Sequence, residues 1–452
     1  MENLVEHVMQ EADIKSRGSG ESNSVSISED ESLLSLIDMI SSRRSNLLDL
    51  VILLEKYHTK GDVEQRAKSI SIIGTVIHEV ANLDLDSKAC VGLSKFFVSK
   101  LRDVHWVLPS MKAIYGLLKY HPESVKSSQQ SGDQCLTKLL TGISSPSIHI
   151  PAYNQKVRIV AFKWYETILL QYNEFFKLQD DDVVMDITNE TSSDESKTIP
   201  YSTLVSAILT AIESEKDPRN LIESFKLTYL ILSKFGNDPV SSKTIEPFLD
   251  EIFENISCYY PIEFEPPKND KFKITPKDLK DGLNKCFIAS PLISHMIIPF
   301  VLDKLTSANL LAKAESLNTL KLMIEELPIQ KIREFCEIIS NHLQNEVFNF
   351  QDEGIQTLWI ETIAQLWAVL NYSKDRYKIV QFDSISEKVI SVVLERCSQE
   401  LEKDPDTITG ILASNILWAI MKKSFSLWYL VVDTFLINFW IESINVIKIL
   451  NQ

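Results

Sequence analysis

From Ser32 onward, apolar residues recur at intervals of three and four, with polar residues filling the gaps. Val63, Ala67, Ile70, Ile73, Ile77 and Val80 make one such stripe, and Leu310, Ala314, Leu317, Leu320, Ile324 and Leu327 make another. At 3.6 residues per turn this spacing places each set on one face of an amphipathic helix. Alternation with a period of two, the mark of a half-buried strand, is rare throughout. The pattern predicts helix after helix.

Three of the turns between these helices look alike: Lys216-Asp217-Pro218-Arg219-Asn220-Leu221-Ile222, Thr306-Ser307-Ala308-Asn309-Leu310-Leu311 and Lys403-Asp404-Pro405-Asp406-Thr407-Ile408. They lie roughly 90 and 97 residues apart, about twice the length of a HEAT-type repeat. Asp before Pro suits a helix start, because the carboxylate accepts from free N–H groups and Pro fits the first turn. Pro109, in Val107-Leu108-Pro109-Ser110, and Pro299, in Ile298-Pro299-Phe300, are expected early in further helices. The fold expected is all-α, an α-solenoid of HEAT-type helix pairs (an armadillo-like superhelix), each pair burying its apolar face on its neighbours.

Four stretches break the period. Residues 16–30 are small and polar, the composition of a mobile linker. Residues 178–200 collect Asp180, Asp181, Asp182, Asp186, Glu190, Asp194 and Glu195, with no basic residue before Lys197. They read as a solvated insertion or, with Ser192 and Ser193 near carboxylates, a phosphorylation-tuned loop. Asn255–Asp270 holds three prolines and paired aromatics, a stiff extended crossing. Ser424–Ile441 is almost long enough and apolar enough to span a bilayer, but Asp433 near its middle would cost about 2.5–3.5 kcal/mol there. A membrane anchor, a buried capping helix and an end foreign to the fold all remain readings of that tail.

The expected organisation follows. It comprises an N-terminal helix and flexible linker over 1–30, HEAT-type repeats over 31–175, an acidic disordered insertion over 176–200, and repeats again over 201–423. The last block carries the Pro-rich crossover at 257–270, and an atypical hydrophobic tail follows at 424–452.

The formal net charge of −16 argues against non-specific binding of DNA or RNA phosphates and favours protein partners. Six cysteines, at 90, 135, 258, 286, 336 and 397, include no C-x-x-C pair and read as reduced thiols of a cytosolic or nuclear protein. Eight histidines show no metal-ligand spacing, and His105 and His295 beside apolar residues are expected to pack between helices. No nucleophile elbow, phosphate-binding glycine loop or dinucleotide fingerprint occurs, so an enzyme, a cofactor or a bound metal is not expected. Met1–Lys15 is acidic and amphipathic, unlike a secretory leader.

Two segments are candidates for partner contact. Lys216, Asp217, Pro218, Arg219 and Asn220 either fix one inter-helix turn or form a recognition loop. Tyr259, Tyr260, Pro261, Phe264, Pro266, Pro267, Asn269 and Asp270 either pack as a crossover or present aromatics that lose little entropy on binding.

These segments also carry a family resemblance. Ser214–Ile222, then Ser257–Asp270, then Leu279–Leu305 with Ile298-Pro299-Phe300-Val301-Leu302-Asp303-Lys304-Leu305, and Ala314–Leu320 are similar to the Mms-nineteen nucleotide excision repair protein family (Met-eighteen type). Leu101–Ser110 and Glu64–Ala67 match more weakly, and the likeness covers roughly 45–370. The resemblance implies a non-enzymatic HEAT-repeat scaffold of cytosolic iron–sulfur protein assembly, acting in cytoplasm and nucleus. Its implied partners are a WD-repeat propeller protein, that protein's small cluster-transfer partner, and apo iron–sulfur clients of DNA replication, repair and transcription. Direct nucleic-acid or membrane binding is not implied. Family members run on well past this length, so a C-terminally truncated form that joins the assembly complex poorly is expected. The alternatives are a karyopherin-like transport receptor and a regulatory scaffold of the phosphatase kind, both helical-repeat proteins.

Overall fold

The computed structural model describes residues 1–16, 31–80, 83, 85–102, 104–145, 148–177, 199–267, 272–347, 352–370, 384–423, 427–433 and 435. Among them are 20 α-helices and only two strands of two residues each, β1 (Phe176–Lys177) and β2 (Ile199–Pro200), which pair in parallel. The fold is therefore all-α. The expected linker beyond Ser16, and most of the expected insertion and tail, lie outside the described residues.

The chain divides into two units, Met1–Asn255 with Pro266–Ile274, and Ile256–Glu265 with Thr275–Gln452. The first contains α1 (Glu2–Ser16), α2 (Glu31–Ser41), α3 (Leu47–Lys60), α4 (Val63–Glu79), α5 (Ser87–Lys100) and α6 (Val104–Tyr120). It continues through α7 (Pro122–Gln130), α8 (Cys135–Ile143), α9 (Gln155–Gln171), α10 (Tyr201–Ile212), α11 (Pro218–Phe235) and α12 (Pro239–Ile245). The division falls inside α13 (Leu249–Ser257). The second unit holds α14 (Pro276–Ile288), α15 (Ser294–Leu305), α16 (Leu310–Glu326), α17 (Ile329–Val347), α18 (Glu353–Leu370), α19 (Ser384–Lys403) and α20 (Ile408–Met421).

Short polar side chains open these helices by accepting from N–H groups that have no intrahelical partner. Asp62 accepts from Gln65 N, Asp86 from Ala89 N and Asn154 from Val157 N. Asn46 with Asp49, and Thr275 with Asp278, complete reciprocal capping boxes. Of the three similar turns, Asp217 caps α11 with Pro218 at its first position, and Asn309 caps α16. The third differs from expectation: Thr407, not Asp404, caps α20, and Asp404 instead accepts from Asp406 N within the turn. Pro109 and Pro299 also sit deeper than expected, as the sixth residues of α6 and α15. There each deprives the carbonyl four residues earlier of a donor, a cost absent from the first turn.

Alternate helices stack within each unit. In the first, α4 packs on α6, α6 on α9 and α9 on α11, while α5 packs on α7 and α8, and α10 on α12, as a second layer. In the second, α16, α18 and α20 form one layer and α15, α17 and α19 the other, joined by the hairpins α15–α16, α17–α18 and α19–α20. This is the HEAT-type solenoid arrangement: a pair closes its core only against the pairs before and after it. The α4 stripe is buried at Ile70, Ile73, Ile77 and Val80, whereas Val63 at the helix start stays exposed. Ile72 and Val76 are buried too, because α4 is packed from more than one side, by α3 and α6.

The tightest approach in that stack depends on a glycine. A Cβ at Gly74 of α4 would lie 3.0 Å from the Ala113 Cβ of α6. Gly74→Val is expected to destabilise the first unit by about 1–3 kcal/mol through overpacking. Urea unfolding followed by far-UV circular dichroism would measure it, and an unchanged midpoint would show that the two helices can separate freely.

Candidate functional site

The turn between α10 and α11 is organised by a buried carboxylate. Ser214 adopts a left-handed φ of 55°, and the next residue, Glu215, is only 3% exposed. Its two oxygens accept from Arg158 Nε and Nη2 on α9, both at 2.7 Å. They also accept from the backbone N–H groups of Lys216 and Asp217, both at 2.9 Å, and from Asn220 Nδ2 at 3.0 Å. Arg158 Nη1 donates to the Tyr153 carbonyl at 2.6 Å, and Asn220 Oδ1 accepts from Gln155 Nε2 at 2.8 Å. The start of α9 is thus tied to the start of α11 by one charge pair and a ring of amides. Burial pushes the Glu215 carboxyl up, but the Arg158 fork and the amide donors outweigh it and hold the group below the ordinary glutamate range. The Arg158 guanidinium is raised in turn, chiefly by its hydrogen bonds to Glu215.

The candidate residues of this turn divide by that geometry. Asn220 is buried inside the network. Asp217 caps α11 through Arg219 N at 3.0 Å and holds the Arg219 side chain at 2.8 and 2.6 Å, contacts that keep its carboxyl low. Arg219 also lies over the Phe272 ring, 4.5 Å from its centroid, and that ring is exposed. Pro218 is half-buried at the first helical position, and Lys216 is exposed. Sequence reasoning placed Glu215 in the signature turn Ser214–Ile222 without a role of its own and missed Arg158, its partner in the pair on which the turn depends. The two are 57 residues apart in the chain, and only helix stacking joins them.

The crossover is anchored in the second unit by Tyr260 and Ile262. The Tyr260 ring is buried with its centroid 5.5 Å from that of Phe287 and 5.7 Å from that of Phe300. Its hydroxyl donates to Ser316 Oγ at 3.1 Å. The Ile262 N–H donates to Glu315 Oε1 at 3.1 Å, and Lys280 Nζ lies 2.5 Å from Glu315 Oε2. The Tyr260–Pro261 peptide bond is cis. Tyr259, Pro261 and Phe264 are half-buried, while Glu263, Glu265, Pro266 and Pro267 are exposed. Asn269 and Asp270 lie outside the described residues.

Other candidates resolve more simply. Cys90, Cys135, Cys286, Cys336 and Cys397 are buried free thiols, and Cys258 is exposed. Burial raises Cys90 and Cys397 to about 12 and Cys135 to about 11, so none of these three is a ready nucleophile. His295 is exposed rather than packed, its Nδ1 2.9 Å from the Leu292 carbonyl one turn back. The His105 side chain lies outside the described residues. Among the described residues, no three His, Cys, Asp or Glu side chains gather as a metal site, and no single helix is long and apolar enough to cross a membrane. The described part of the tail is helical at 427–433, with Leu427 and Val431 buried and Trp428, Tyr429 and Asp433 exposed.

Residues 51–349 match the family model described as Dos2-interacting transcription regulator of RNA-Pol-II. The MMS19 nucleotide excision repair protein homolog of Dictyostelium discoideum is 27% identical over 85% of this chain and 30% of its own length. The homolog of Homo sapiens is 24% identical over 80% of this chain and 31% of its own length. The one of Xenopus laevis is 30% identical over 42% of this chain and 18% of its own. The chain therefore spans less than a third of the relatives it matches. Among solved structures, one of the Pds5–Scc1 complex aligns with 89% of this chain and 70% of its own, at 12% identity and a TM-score of 0.27, too weak a likeness to carry an argument.

Proposed function

This chain belongs to the MMS19 family of DNA repair and transcription proteins, and from that premise we propose that it is a non-enzymatic adaptor of cytosolic iron–sulfur protein assembly. It holds apo-proteins of DNA replication, repair and transcription beside the cluster donor, with the cluster as cargo. Its partners are a WD-repeat propeller protein, that protein's small cluster-transfer partner and the clients themselves, met in cytoplasm and nucleus. The observation that carries the reading is the family match over 51–349, which includes the whole crossover.

The physics is consistent with such a role. Stacked helix pairs give a long surface without a single closed core. The crossover fixes its backbone through Tyr260 and Ile262 and leaves Phe264, Pro266 and Pro267 at or near the surface, so that contact there would cost little ordering entropy.

Affinity capture of the tagged chain with quantitative mass spectrometry tests the reading. Enrichment of iron–sulfur polymerases, helicases and the propeller protein is expected. Nuclear-pore proteins with a small GTPase, or a phosphatase catalytic subunit, would replace the adaptor with a transport receptor or a regulatory scaffold. Phe264→Ala combined with Pro266→Ser is expected to lower client recovery several-fold at an unchanged melting temperature.

A further inference from the structure

Residues 87–165 hold eleven Lys and Arg against three Asp and Glu, in a chain whose net charge is −16. This local reversal of sign has a focus. A cleft of about 510 Å³ opens between α5 and α8, and its described lining contains three cations and no carboxylate. One wall is Lys95, Val98, Ser99 and Arg102, from α5 and the turn after it. The other is Lys138, Thr141, Gly142 and Ser145, from α8 and its following turn. Both walls follow the spacing i, i+3, i+4, i+7, so each helix turns one stripe into the cleft, with a cation first and a hydroxyl at the middle.

The floor is apolar. A Cβ at Gly142 would lie 2.3 Å from Val98 Cγ1, so the helices touch there, and Ile148 closes one end. Lys95 and Arg102 are exposed and make no hydrogen bond or ion pair among the described residues. Lys138 spends one N–H on the Asp133 carbonyl and keeps two. The Asp133 carboxylate accepts from the hydroxyls of Ser87 and Ser131 and offsets part of the Lys138 charge, so the positive field of the cleft rests mainly on Lys95 and Arg102. Like charges gathered over a low-dielectric floor focus a positive potential outward.

We propose that this cleft is a docking groove for an extended acidic segment of a partner protein. Cations and hydroxyls on both walls meet carboxylates, and the Val98–Ile148 floor takes the apolar side chains that alternate with them. Charge complementarity selects the occupant. A long nucleic-acid polyanion is disfavoured by the acidic remainder of the chain, whereas a short peptide samples only the local field.

The test is fluorescence anisotropy with the full chain and a fluorescein-labelled decapeptide alternating Glu with Leu. Lys95→Glu combined with Arg102→Glu is expected to weaken binding by about tenfold or more, since two attractions become two repulsions. Affinity should fall as salt rises from 50 to 300 mM, by screening of exposed pairs over about 10 Å. Lys156→Glu, an exposed change in the same basic segment but outside the cleft, should leave the affinity within about twofold. Equal binding by the double variant, an equal loss in the Lys156 variant, or tighter binding of a single-stranded oligonucleotide of matched charge would each overturn the proposal.

Discussion

Replacing Glu215 by Ala is expected to destabilise the first unit by about 3–5 kcal/mol, the range for breaking a buried ion pair from one side. The loss exceeds the worth of any one hydrogen bond because the partners cannot leave. Arg158 keeps only the Tyr153 carbonyl among the contacts described above, and the N–H groups of Lys216 and Asp217 lose their acceptor beneath a packed turn. Native-state hydrogen exchange would localise the effect, with the amides at the start of α11 losing protection before those of α4. Arg158→Leu combined with Glu215→Leu should recover only part of the stability, since it leaves no orphaned charge but still deprives the Lys216 and Asp217 N–H groups and the Asn220 amide of their acceptor. The pair also sets an acid dependence. The Glu215 carboxyl is depressed in the folded state, so its contribution is fully present above the unfolded value of 4.5 and is lost as pH falls through the lower folded value. Asp217, depressed mainly by Arg219, adds in the same direction. Melting temperatures measured from pH 6 to 3 should therefore fall less steeply for Glu215→Gln than for the native chain. Parallel curves would remove Glu215 from the acid response.

The helices were legible because each is specified locally. Of the α16 stripe, Leu317, Leu320, Ile324 and Leu327 are buried as their spacing requires, while Ala314 is half-buried and Leu310 at the helix start is exposed, and Asp217-Pro218 caps the helix it precedes. Failures appear where the deciding partner is remote. Glu215 was one residue of a signature turn with no role of its own until Arg158 and Asn220 came beside it from α9 and α11. Thr407 took the cap from Asp404 because the turn through Pro405 is longer than the Asp217-Pro218 turn, which no period reveals. Tyr260 was named only as one aromatic of several. Burial separates it as the anchor from Tyr259 and Phe264, and burial depends on Phe287, Phe300 and Ser316. The basic cleft was hidden for a different reason: a total charge of −16 averages away a local excess, and α5 and α8 meet only through the fold.

Tyr260→Ala is expected to destabilise the second unit by about 3–5 kcal/mol, the usual loss for deleting a fully packed aromatic. The ring fills the space bounded by Phe287 and Phe300, and its removal leaves a cavity that the α14 and α15 backbones cannot close by small shifts. Tyr260→Phe separates the two contributions. It keeps the ring and loses only the hydroxyl bond to Ser316, at a cost of about 0.5–1.5 kcal/mol. The consequence for the crossover is local. Without Tyr260, the start of the crossover keeps the buried Ile262 side chain, the Ile262 N–H bond to Glu315 and a long 3.4 Å bond from Asn309 Nδ2 to Glu263. Its next exposed residues are Glu263 and Glu265. Limited proteolysis with a Glu-specific protease should then cut at these positions at least tenfold faster in Tyr260→Ala, and nearly unchanged in Tyr260→Phe. Client capture should follow the same order, because a loosened crossover must be reordered on contact before Phe264 and Pro266 can bind. If Tyr260→Ala retains native cleavage rates, the crossover is fixed by something other than this ring.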